Sequence, residues 1–340
     1  MDTYESAVRA KISDQLSTLP AQPIVFAGSG LSRRWFNAPS WTELLEACIA
    51  ACPLIDKELA YYQQDSRGLD EVASKLSVPF REWAWGDGKN SFPVELFQSG
   101  VSKQAYIKSF ISSHLRNVQM KIDDLNAASA EEVHLLSGIR PHCIVTTNYD
   151  QVLEQVFKDY SVVFASDVIS SAFSSIGEIV KIHGCVSNPQ SIVFTMEDYD
   201  SFIKKRKYIS AKLTTYFNEH VILFVGYSAT DPNIVGILSD IDEALATPGD
   251  LIKNIFFLER APIDGGTPSQ EKLIQITADK SVRVNVIQTH DFRWVFEAFS
   301  HKAPLENFNP KLMRAILSRA YELVRTDIPN QQLNVDFDLI

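Results

Sequence analysis

The chain has 340 residues, 45% of them hydrophobic and 22% charged, with a formal net charge of −10. That is the composition of a globular chain with material for one large core, and its acidity argues against direct binding of a nucleic-acid backbone, which takes clustered Lys and Arg. There is no apolar run of the roughly 18 or more residues that a membrane span needs. The N-terminus lacks the apolar core of a signal peptide, so a cytoplasmic chain with no membrane partner is expected.

Along the chain, "PIVFAG" at 23–28 reads as a strand buried on both faces. The stretch from about 36 to 140 is rich in Leu, Ala, Glu, Trp and Tyr and reads as a mostly helical insertion, with helices at 41–51 and 104–118 and a loop at 80–93, "FREWAWGDGKNSFP". Further strands are expected at "HCIVTT" (142–147), "EIVKIHG" (178–184), "SIVFT" (191–195), "HVILFVGY" (220–227), "NIFFLE" (254–259) and "RVNVIQT" (283–289). Helical segments fall between them at 150–158, 201–217, 232–245 and 267–278. Continuous Val, Ile and Phe without alternation marks strands covered on both sides. The expected class is therefore α/β: an open, mostly parallel Rossmann-like sheet with helices on both faces, plus the helical insertion. Residues 1–300 are expected to form one domain and 301–340 a C-terminal helix, "NPKLMRAILSRAYELVR", with a polar tail. The basic run "KKRK" at 204–207 reads as a solvated helix face. Cys48, Cys52, Cys143 and Cys185 form no CxxC pair. They read as small buried hydrophobes rather than a zinc ribbon, and no metal is expected.

Five polar clusters fall at strand ends, where ligands bind in open α/β sheets. Gly28, Ser29 and Gly30 follow the first strand, and glycines there let the backbone approach a phosphate at a helix N-terminus. A third fingerprint glycine is absent, its place taken by Arg33. Thr146, Thr147, Asn148, Tyr149 and Asp150 end the next strand, where Asn148 or Asp150 has a helix cap as its plainer reading. His183, followed by Gly184, has a pKa suited to accepting a proton at neutral pH, against the plainer reading of a packed core histidine. Gly226 and Ser228 close another strand ahead of "TDPN", which a capped turn explains, and Glu259 is a candidate partner for ribose hydroxyls.

In this order, "GSGLS", "TTNYD", "KIHG", "GYS" and "FLE" resemble the sirtuin-like domain, and most closely the bacterial branch of anti-phage defence proteins that hydrolyse NAD. The similarity covers roughly residues 20–300. It implies NAD as substrate, with Gly28, Ser29, Gly30 and Ser32 along the diphosphate and ribose. It places Asn148 and Asp150 at the nicotinamide end, with Asn148 acting on the nicotinamide ribose or the attacking water and His183 as the base, Thr147 among the NAD-binding residues, Gly226, Tyr227 and Ser228 under the adenosine half, and Glu259 near its ribose. It further implies a homo-oligomer, or a separate ATPase or Argonaute-like defence partner. The departure from protein deacylases is that "HGCVSNPQSIVF" leaves no room for a zinc module with two CxxC pairs. The rival readings are an NAD or ADP-ribose sensor without turnover and, more remotely, a deacylase or a dehydrogenase.

Overall fold

In the computed structural model the described residues are 3–19, 21–118, 120–164, 176–227, 250–261, 268–276 and 281–300, with single positions between 235 and 239 and between 312 and 323. For residues 203–212 and 214 the description covers the backbone alone. The elements begin with α1 (Thr3–Thr18), β1 (Ile24–Ala27) and α2 (Ser29–Phe36). The helical insertion follows as α3 (Trp41–Ala51), α4 (Leu59–Gln64), α5 (Leu69–Trp85), α6 (Ala105–Asn117) and α7 (Ala127–Gly138). Then come β2 (Cys143–Thr146), α8 (Val152–Val156), β3 (Ser161–Phe164), β4 (Glu178–Lys181), α9 (Met196–Glu219) and β5 (Ile222–Val225). The described chain closes with β6 (Leu251–Glu259), β7 (Glu271–Gln275), β8 (Ser281–Gln288) and α10 (Arg293–Phe299).

The eight strands form one sheet in the order β3-β4-β2-β1-β5-β6-β8-β7, parallel throughout except for the β7–β8 pair. The expected α/β class is what the chain adopts. Alternation along β1 sends Val25 and Ala27 into a core shared with α1, the insertion and α10, while Ile24 and Phe26 enter a second core beneath α9. Across the second face Phe26, Phe224 and Phe257 form a ladder, the last two stacked at 4.3 Å. Helix ends follow local chemistry: Ser40 with Glu43 and Thr195 with Asp198 form capping boxes that start α3 and α9.

Three expectations are corrected, and one strand is added. Residues 267–278 were expected to be helical, but 271–275 are the strand β7, paired antiparallel with β8. Its pattern has period two, with Ile274 buried and Leu273 exposed. Residues 191–195 are not a strand: a 3-10 turn (Pro189–Ser191) leads into extended chain that caps α9. Ile192 and Phe194 are buried there, while Tyr149 Oη donates to the Val193 carbonyl. The expected loop at 80–93 begins inside α5, because Leu76, Phe80 and Ala84 recur at i, i+4 and fill one buried face. The half-exposed strand β3 has no counterpart in the expectations. The expected helices at 232–245 and 309–325 fall mostly outside the described residues, as do Ser228 and the "TDPN" turn. The side chains of 204–207 also lie outside them.

Candidate functional site

The carboxyl ends of β1, β2, β4, β5 and β6 share one edge of the sheet, which sets residues far apart in sequence side by side. A cleft of about 1070 Å3 opens there. Of the sequence-predicted residues, Ser29, Gly30, Thr147, Gly226, Tyr227 and Glu259 line it. Gly28, Ser32, Asn148, Asp150 and His183 are brought to the same edge but are buried, and among the described residues they form no part of the cleft wall.

The glycines serve contact between two loops. The Gly28 amide donates to the Val225 carbonyl (2.8 Å) and the Gly30 amide to the Gly226 carbonyl (2.9 Å). A Cβ on Gly28 or Gly30 would stand 2.5 or 2.7 Å from that Gly226 oxygen. Gly226 itself has φ +73°, and a Cβ there would meet the Leu31 nitrogen at 2.5 Å. Only glycine fits backbone packed on backbone in this way. Gly184 is similar, with φ +85° and a would-be Cβ 2.2 Å from the Ser191 carbonyl. The turn after His183 therefore folds back on itself within eight residues.

Beside the glycine loops runs a buried polar chain. Ser32 Oγ donates to Asp150 Oδ2 at 2.8 Å, and Asp150 Oδ1 accepts the Val152 amide at 3.0 Å, so the helix-cap reading of Asp150 holds alongside its tie to Ser32. Because the Ser32 proton is spent on the carboxylate, its oxygen can only accept from Asn148 Nδ2, 3.4 Å away. That fixes the orientation of the amide and leaves Asn148 Oδ1 as a buried acceptor with no hydrogen-bond partner among the described residues. The Asn148 backbone N–H in turn donates to Thr146 Oγ1 (3.0 Å), and that hydroxyl donates to the Ala27 carbonyl (2.6 Å), locking the end of β2 to β1. His183 lies edge-on to the Tyr199 and Phe202 rings of α9, with centroids 5.5 and 5.2 Å away.

Sequence reasoning missed Lys181. It is fully buried, its ammonium bonded to the Asp150 carbonyl and 2.7 Å from Glu154 Oε1. Burial pushes its pKa down, but the charges of Glu154, Cys185 and Asp150 outweigh that, and the net direction is up. The available signal was a lysine between the apolar pair Ile179–Val180 and Ile182 in a run otherwise read as a buried strand. Also missed were the cleft cations: Arg33 and Arg34 of α2, Arg260 just after β6, and Lys272 of β7, a strand read as helix.

The family model described as "SIR2-like domain" matches residues 142–284. This part of the chain, less than half of its length, is thus similar to a SIR2-like domain. The match takes in Asn148, His183, Gly226 and Glu259 and begins after the glycine loop at 28–30. "NAD(+) hydrolase ThsA" of Bacillus cereus (strain MSX-D12) is 30% identical over 120 residues, 34% of this chain and 25% of that protein. The protein of the same name from Enterococcus faecium is 30% identical over 122 residues, 33% of this chain and 25% of that one. "Defense-associated sirtuin 2" of Bacillus subtilis is 28% identical over 109 residues, 30% of this chain and 11% of that protein. The similarity thus spans a quarter or less of the length of these relatives. Among the described residues, no helix is long and apolar enough to cross a membrane.

Proposed function

We propose that the chain is an NAD+ hydrolase that breaks the nicotinamide–ribose bond with water, giving nicotinamide, ADP-ribose and a proton. The observation that carries this reading is the buried Asn148 Oδ1, without a hydrogen-bond partner among the described residues, past the end of β2, with the buried His183 past the end of the neighbouring strand β4. A buried acceptor without a donor is costly, and the carboxamide N–H of nicotinamide or the attacking water would satisfy it. The transition state places positive charge on the ribose. His183 would take a proton from a ribose hydroxyl or from water, and Asn148 would hold the leaving group or the nucleophile. The glycine loops and the cleft beside them would seat the diphosphate and the adenosine half. The names of the relatives support NAD as substrate and a role in defence; that the defence is against phage and acts through loss of cellular NAD is part of the proposal.

The test is nicotinamide release by the purified chain, compared with Asn148→Ala and His183→Ala at matched folded fraction. Loss of a positioned acid–base group is expected to lower turnover about 100- to 10,000-fold. A second reading, a binding module without turnover, is favoured by the burial of Asn148 (5% exposed) and His183 (3% exposed). ADP-ribose binding with no nicotinamide release under any condition would establish that reading instead.

A further inference from the structure

At the β6 end of the cleft, Glu259 is already engaged: Lys272 Nζ stands 2.6 Å from its Oε1. Lys272 belongs to β7, and the antiparallel pairing of that strand with β8 carries it there. Arg260, the next residue along, also lines the cleft. The other two arginines of the wall are paired, Arg33 with Glu43 and Arg34 with Glu132. Arg260 is exposed, and no hydrogen bond or ion pair holds it among the described residues.

In a dinucleotide site an acidic residue at a strand end takes the ribose 2′-hydroxyl, whereas a nearby arginine accommodates a 2′-phosphate. A bare carboxylate would repel that phosphate, which carries about −1.5 to −2 charges at neutral pH. Here the charge of Glu259 is offset by the contacting Lys272, and Arg260 adds a second cation, giving two positive groups to one negative. The topology decides which half of a dinucleotide meets them. With Asn148 and His183 at the ends of β2 and β4, and the glycine loop of β1 next in the sheet, the adenosine half falls over β5 and β6.

We propose that this end of the cleft admits a 2′-phosphorylated dinucleotide, NADP, alongside NAD. Arg260 is the residue that sets this specificity, and Lys272 holds the Glu259 charge off the phosphate. The inference rests on the dinucleotide reading given under Proposed function.

The experiment is calorimetric binding of two probes, ADP-ribose and its 2′-phosphate, to the full chain and to Arg260→Ala, Lys272→Ala and Glu259→Gln. In the unaltered chain the two affinities are expected to agree within about tenfold. Arg260→Ala and Lys272→Ala should each weaken the phosphorylated probe about tenfold more than the plain one, the loss expected of a charge-assisted contact. Glu259→Gln should move the ratio the opposite way, which a merely structural role would not do. A more than hundredfold preference for ADP-ribose, or variants that shift both probes equally, would overturn the inference alone. Binding of neither probe would overturn the dinucleotide reading and the inference with it.

Discussion

Lys181 sits where a side chain of its kind is costly, wholly out of water at the end of β4, one strand in from the edge of the sheet. Two partners compensate: the Glu154 carboxylate, and the Asp150 carbonyl at the end of the turn that also carries Asn148. Removing one partner of a buried pair leaves an uncompensated charge, which typically costs about 3–5 kcal/mol. Lys181→Met is expected to destabilise the chain by that order in urea unfolding. Adding Glu154→Gln should recover much of the loss, since the stranded carboxylate goes with it. If the double variant were as unstable as the single one, the ion pair would not be what holds this turn.

At the scale of elements, β7 gives the sharpest contrast with its sequence. In a strand, Leu273 and Ile274 face opposite ways; Leu273 is 60% exposed and Ile274 3% exposed. Ile274→Ala should cost about 2–5 kcal/mol by opening a cavity, while Leu273→Ala should change the midpoint of thermal unfolding little. Equal effects would contradict the strand. The parallel strands β1, β2, β5 and β6 were legible from apolar runs bounded by glycine or polar residues, and β4 and β8 from Val and Ile recurring among polar residues. The polar clusters at their ends could be read from the same boundaries. β7 was not legible: "EKLIQ" has three polar residues, and its strand character comes from the β8 edge, which is a tertiary cause. "SIVFT" failed in the reverse sense, an apolar run whose side chains are buried while its backbone bonds to a loop and a tyrosine. Lys181 and Lys272 escaped notice because their importance lies in partners 27 and 13 residues distant, and spacing reveals neither pairing.

For the molecule as a whole, the edge of the sheet opposite the cleft sets a dependence on pH. His220 ends α9 there, its Nδ1 2.6 Å from the Gln22 carbonyl, with the His142 ring 4.5 Å away and Tyr216 and Glu219 alongside. Burial lowers its pKa in the folded chain, outweighing the raising effects of Gln22 and Glu219. The unfolded chain, with an ordinary value of about 6.5, therefore binds the proton more readily. Stability from this group is fully present above that value and is lost as the pH falls below it. Urea midpoints are expected to drop between pH 7.5 and 5.5, and His220→Gln should flatten that part of the curve. An unchanged slope would remove His220 from the account.

The interlocked backbones of Gly28, Gly30 and Gly226 bear on any attempt to build hybrids of this chain. The two loops meet like the halves of a mortise joint, each cut to the other's depth. Grafting the 28–32 loop of a relative without its 226 counterpart would bring unmatched surfaces together, even where both loops carry acceptable motifs. The unit that can be exchanged is the pair, although nearly 200 residues of chain separate its members.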